Sequence, residues 1–153
     1  MPIPSQFEEE LVFEWMLLKG YSAEVNIRIG KDELDVVGYR ITKDGVLEIL
    51  HVEVGVASGS IDEEVKNLIE KKFSKEKRDK LRKIICRKLS LNDNVKIDYT
   101  PMFIRTSPSN ENRWRQKLAE KNIKFMSIKE FIKNEVLKTI EEWKKMQKKA
   151  RLC

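Results

Sequence analysis

Two acidic side chains sit where strand-forming residues surround them. Asp35 lies inside "ELDVVG" (33–38) and Glu53 inside "LHVEV" (50–54). Burying a carboxylate costs free energy unless it is paired or bound to a cation. Strand residues two apart share a face. Glu33, Asp35 and Val37 are thus expected on one face of their strand, and His51, Glu53 and Gly55 on one face of theirs. The link between the segments carries Lys43-Asp44-Gly45, a hairpin signal. Antiparallel pairing would bring Asp35 and Glu53 side by side. Like charges that close repel and are tolerated chiefly around a shared cation. Two or three oxygen ligands completed by water and a phosphate suit Mg²⁺. A metal held in that way activates water and stabilises the transition state of phosphodiester cleavage. A plainer reading pairs Glu53 with Arg28 or Arg40 and leaves Asp35 needing its own explanation.

These residues need a scaffold, and hydrophobic periodicity supplies one. A helix is expected over 5–19, ended by Gly20, then strands at 21–29, 33–41 and 46–56. The third strand is apolar almost throughout, which suggests a central position covered on both faces. Ser60 with Glu63 forms a capping-box pattern opening a long helix whose middle, around 74–80, is strongly polar. A strand at 95–104, a helix at 111–122 and a short strand at 123–126 follow. Ser127 with Glu130 caps a final helix, 128 to about 148. The expected fold is α/β, a central mixed sheet flanked by helices, with an α-β-β-β-α-β core and a C-terminal α-β-α, built as one domain from 153 residues.

Composition narrows the partners. The chain is 41% hydrophobic and 37% charged, which excludes a disordered chain. Its Lys- and Glu-rich charge suits a thermophile. No apolar run approaches the ~20 residues of a membrane span. No basic-then-apolar leader opens the sequence, and Cys86 and Cys153 have no metal-type spacing, so a reducing cytoplasm is the expected setting. The net charge of +6 is concentrated: residues 66–88 hold eleven Lys or Arg against three Asp or Glu. Such a segment is either a phosphate-contacting face, with Lys66, Lys71, Lys72, Lys75, Lys77 and Arg78 as candidate nucleic-acid contacts, or a solvated helix surface.

The order of elements, with Glu33-x-Asp35 on the second strand and Glu53 on the third, resembles the PD-(D/E)xK (restriction-endonuclease-like) nucleases, above all the small Holliday-junction-resolvase-like ones. Members of that kind open with a helix bearing a Glu about ten residues before a Gly-aromatic pair, and Glu10 stands ten before Gly20-Tyr21. The resemblance implies a Mg²⁺- or Mn²⁺-dependent endonuclease acting on DNA, with a homodimer expected because cutting two strands calls for two sites. It implies Asp35 and Glu53 as metal ligands, the Val54 carbonyl as a third, and Glu10 (or Glu14, one turn on) reaching the metal directly or through water.

The family's lysine belongs at position 55, and this chain has Gly55 there. Three explanations compete. The lysine has moved, to Lys66 by first choice or Lys31 by second; His51 contributes instead; or the site is inactive and the chain binds nucleic acid or serves in an assembly. A catalytic reading requires a Lys or Arg nitrogen within about 5 Å of the Asp35–Glu53 cleft. A basic scaffold with no nucleic-acid role is a further alternative.

Other residues carry weaker signals. Trp15, Trp114 and Trp143 read as packing anchors, with base stacking a second option for Trp114. Cys86 reads as a small core residue. Gly55 to Ser60 is small and leads into a helix N-terminus, where backbone amides could approach a phosphate.

Overall fold

The computed structural model describes residues 3–56, 60–106 and 109–152. The first helix, α1 (Ile3–Leu18), presents Glu8, Val12, Trp15 and Met16 inward at helical spacing. Gly20, at φ +88°, ends it, and the Tyr21 N–H donates to the Met16 carbonyl at 3.0 Å. That left-handed closure satisfies an otherwise orphaned carbonyl.

Strands β1 (Ser22–Ile29), β2 (Asp32–Ile41) and β3 (Leu47–Val56) form an antiparallel meander. Strands β4 (Ile97–Thr106) and β5 (Lys124–Ser127) then add in parallel, giving the order β1-β2-β3-β4-β5. Parallel neighbours need crossovers. The first crossover is α2 (Ile61–Asn67), a π-helical turn (Leu68–Lys72) and α3 (Lys75–Lys88); the second is α4 (Glu111–Ala119). The polar middle of the expected long helix is therefore a break, and Ser74 restarts the chain by accepting from the Lys77 N–H at 3.2 Å. A short α5 (Ile128–Glu130), a second π-helical turn (Phe131–Val136) and α6 (Leu137–Leu152) complete the chain. The Ser127–Glu130 capping box is present in both halves. The architecture is the expected five-stranded mixed sheet between helices.

Strand β3 is covered on both faces. Leu50, Val52 and Val54 pack with Val12, Trp15, Met16 and Phe131 on one side. Leu47 and Ile49 pack with Leu81 and Ile85 of α3 on the other. A third cluster joins Val65, Leu68 and Phe73 to Phe103, Trp114 and Phe125. Burial of each such side chain contributes about 1.5–3 kcal/mol. Trp15 and Trp114 are buried anchors, as is Cys86, so Trp114 is not available for base stacking. Trp143 is not an anchor: it is 44% exposed, because every described side chain from Glu141 onward is exposed along α6. Among the described residues, no helix is long and apolar enough to cross a membrane.

Candidate functional site

The site begins with a defect in β2. Its pairing with β1 skips the Asn26–Asp35 position, and Asn26 there adopts φ +53°. Asparagine tolerates that left-handed region better than most residues. Pairing with β3 stops at Val36–Val52, one step short of Asp35 and Glu53. Asp35 is thereby released from both ladders. The alternation of faces fails at the same point. Leu34 packs with Val37 on the α3 side, whereas Val36 packs on the α1 side. The run Glu33, Asp35, Val37 is thus interrupted by Leu34, which packs on the same side as Val37.

Carboxylates take over where the ladder ends. The Asp35 N–H donates to Glu53 Oε2 at 2.8 Å, and the Val54 N–H donates to Asp35 Oδ2 at 2.8 Å. Glu53 is only 2% exposed. His51, fully buried on the same face of β3, places Nε2 2.7 Å from Glu53 Oε2 and Nδ1 2.7 Å from the Tyr99 hydroxyl. Arg40 pairs with Glu48, so it is not the partner of Glu53.

Asp35, Glu53, Val54 and Gly55 line one wall of a cleft of about 280 Å³, and Phe103 lines it beside them. Glu64, Asn67, Leu68, Lys71 and Lys72 line the other wall, at the spacing of one helix face. Lys72 Nζ lies 3.6 Å from Glu53 Oε1 and also donates to the Glu33 carbonyl. This cation comes from the π-helical turn, a feature that often marks functional sites.

Burial raises both acids. Asp35 is pushed up to about 7 by burial and by the Glu53 charge. Glu53 is pushed up to about 7 by burial, against the pull of Lys72. Burial pushes His51 down to about 3, so its ring is neutral. Two acids held this far above the usual carboxylate range are stabilised in their ionised forms by any further cation between them. Asp35 and Glu53 are the residues that could hold a divalent ion. Among the described residues, no group of three or more His, Cys, Asp or Glu side chains is arranged for a metal. Mg²⁺ needs no more than one or two carboxylates where phosphate and water complete its shell, so the pair fits such an ion.

The remaining candidates lie elsewhere. Glu10 and Glu14 are exposed on α1, and Glu10 borders a separate groove with Glu9, Val25 and Asn26. The acid on the sheet-facing stripe of α1 is Glu8, 7% exposed, whose pKa burial raises. Lys66 points to the other side of α2, lining a groove with Asp62, Glu70 and Lys117. Lys77 is inside the fold: Nζ donates to the Ile29 carbonyl at 2.9 Å and pairs with Asp32 at 3.1 Å. Arg78 lies over the Tyr99 ring at 4.7 Å and donates to the Phe73 carbonyl. Lys71 and Lys75 are exposed. Residues 57–59 of the small-residue loop lie outside the described residues.

Gly55 has a packing reason. A Cβ there would fall 2.5 Å from the Phe103 ring, which packs against Trp114 and Phe125. The position that could have carried a lysine is occupied by an aromatic ring.

Neither a family model nor a curated protein matches the chain.

Proposed function

We propose that the chain is a Mg²⁺- or Mn²⁺-dependent nuclease of the PD-(D/E)xK kind, hydrolysing phosphodiester bonds in DNA. Its metal ligands are Asp35 and Glu53, with Lys72 in the role of the missing strand lysine. The observation that carries this reading is the ammonium of Lys72, 3.6 Å from Glu53 Oε1, in a cleft walled by both acids. It meets the requirement for a cation within about 5 Å of the pair.

In hydrolysis, water adds to phosphorus, the bond to the leaving sugar oxygen breaks, and a proton ends on that oxygen. The bound ion supplies Lewis-acid polarisation and a more acidic water. The chain's own residues do the rest. Asp35 and Glu53 are fixed by backbone and imidazole donors, so they reach the ion without reorganisation. Lys72 neutralises charge developing on the phosphoryl oxygens. Lys71 at the rim and the exposed Lys75 meet flanking phosphates, giving affinity that falls with salt.

A binding protein without catalysis is favoured by one observation: α1 turns Glu10 outward, so the cleft lacks that third carboxylate. Incubation with duplex, branched and single-stranded DNA, in Mg²⁺, Mn²⁺ or chelator, separates the two. Metal-dependent cleavage that Asp35→Ala abolishes supports the nuclease. Salt-sensitive binding without cleavage supports the binding protein, and absence of binding sinks both.

A further inference from the structure

The imidazole behind Glu53 does a task that a plain core strand would not need. Position 51 is fully enclosed, with Phe73 4.6 Å from the ring and Ile49 two residues away on the same face. An aliphatic side chain would fill such a place at no polar cost, whereas burying an imidazole costs free energy unless both nitrogens are satisfied. Here both are, and one partner is the acid of the cleft.

The directions of these bonds follow from their neighbours. Glu53 Oε2 already accepts the Asp35 N–H, and Glu53 Oε1 faces the Lys72 ammonium. Ionised, as it must be to hold a cation, Glu53 can only accept, so at the shared contact the imidazole Nε2–H donates. Nδ1 is left with its lone pair, and the Tyr99 O–H donates to it. Tyr99 stands on β4 opposite Ile49, beneath the Arg78 guanidinium. One carboxylate is thus tied to β2 through Asp35, to β3 through His51 and to β4 through Tyr99.

We propose that His51, held in its Nε2–H tautomer by Tyr99, is a positioning residue that fixes Glu53 so that Oε1 is the oxygen presented to a cation in the cleft. The proposal rests on the reading of Asp35 and Glu53 as a divalent-cation site. His51 itself does not reach the cation, because both ring nitrogens are engaged and the ring lies behind Glu53. Without it, Oε2 keeps the Asp35 N–H and Oε1 the Lys72 ammonium, but the carboxylate loses its one link to β4 and the donor that sets its terminal torsion, which is otherwise broad and roughly two-fold. Partners that orient a ligand in this way typically carry 10–100-fold in metal affinity.

The test is Mn²⁺ binding by the full chain at pH 7.5, followed by calorimetry, with thermal melts recorded alongside. Wild type binds Mn²⁺ and Asp35→Asn does not. His51→Leu weakens binding roughly 10–100-fold while remaining folded. His51→Gln, whose amide can still donate to Glu53, recovers most of the affinity. Tyr99→Phe, which frees Nδ1 to take the proton and turns a lone pair toward Glu53, weakens binding by roughly tenfold. A folded His51→Leu that binds as wild type overturns the proposal and leaves the cation site standing. Equal losses in His51→Leu and His51→Gln also overturn it, since a packing role alone would give that result. If His51→Leu does not fold, Tyr99→Phe decides, and unchanged affinity overturns the proposal. A wild type that binds no Mn²⁺ removes the cation-site reading and the proposal together.

Discussion

Gly55 and Phe103 occupy one space: a Cβ on residue 55 would lie 2.5 Å from the Phe103 ring edge. The ring is held by Trp114, 5.6 Å away, and Phe125, 6.2 Å away, so it has little room to retreat. Gly55→Ala should therefore destabilise the protein by about 1–3 kcal/mol, the usual cost of overpacking a filled core. Gly55→Lys should cost at least as much and restore no activity. Urea unfolding checks this through a lowered midpoint at constant slope. A neutral Gly55→Ala would contradict the packing account.

Stability should depend on pH through Asp35. Its folded pKa is about 7, against roughly 4 in an unfolded chain. A raised acid contributes most to stability below its unfolded pKa and loses that contribution as pH rises through the folded one. Asp35→Asn lacks this dependence, so it should be more stable than wild type at pH 8, by at least about 1.4 kcal/mol, the worth of one pKa unit. The gap should close toward pH 4. His51, pushed down to about 3 chiefly by burial and against the Asp35 charge, loses its contribution as pH falls, and Glu53, pushed up to about 7, loses its own as pH rises; both are present in the two proteins, so the change at Asp35 itself is the main part of the difference. Melts from pH 4 to 8 measure the gap. A constant gap, or one that widens in acid, contradicts the assignment. Mg²⁺ at pH 8 should raise the melting temperature of wild type and not of Asp35→Asn.

Much of this arrangement is legible in the sequence. The apolar run of β3 gives a strand covered on both faces, and the hairpin puts Asp35 across from Glu53. Helix phase is less legible than strand pairing. Glu10 stands two residues from inward-facing Glu8, about 200° around the helix axis, so it must face out. The stripe Glu8, Val12, Trp15, Met16 carried that information. Lys66 stands close to the helix start, yet the cleft face runs Glu64, Asn67, Leu68, Lys71 and Lys72. The π-helical turn that advances Lys72 toward Glu53 has no local signature. Nor does the inversion of β2 at Asp35, which depends on the conformation of Asn26 in the neighbouring strand.

The basic segment should divide by burial. Lys77, 9% exposed, holds the Ile29 carbonyl and Asp32, so Lys77→Ala should cost about 1–3 kcal/mol of stability and leave DNA affinity unchanged. Lys75→Ala should stay within about 0.5 kcal/mol of wild type. It should weaken DNA binding and lower the salt slope by about one. Fluorescence anisotropy across a salt series, with melts in parallel, distinguishes them. Weaker DNA binding by a fully stable Lys77→Ala would contradict the division.

The cleft formed by Asp35, Glu53 and Lys72 is the centre of the account, and the identity of its cation tests it most directly. The measurement is the single-turnover rate of cleavage of a labelled DNA in Mn²⁺, compared between Lys72→Ala and Lys66→Ala. The expected result is a loss of roughly 10²–10³-fold for Lys72→Ala, the scale of removing one preorganised charge-stabilising donor, with Lys66→Ala close to wild type. Wild-type rates in Lys72→Ala would contradict the account, as would a loss confined to Lys66→Ala.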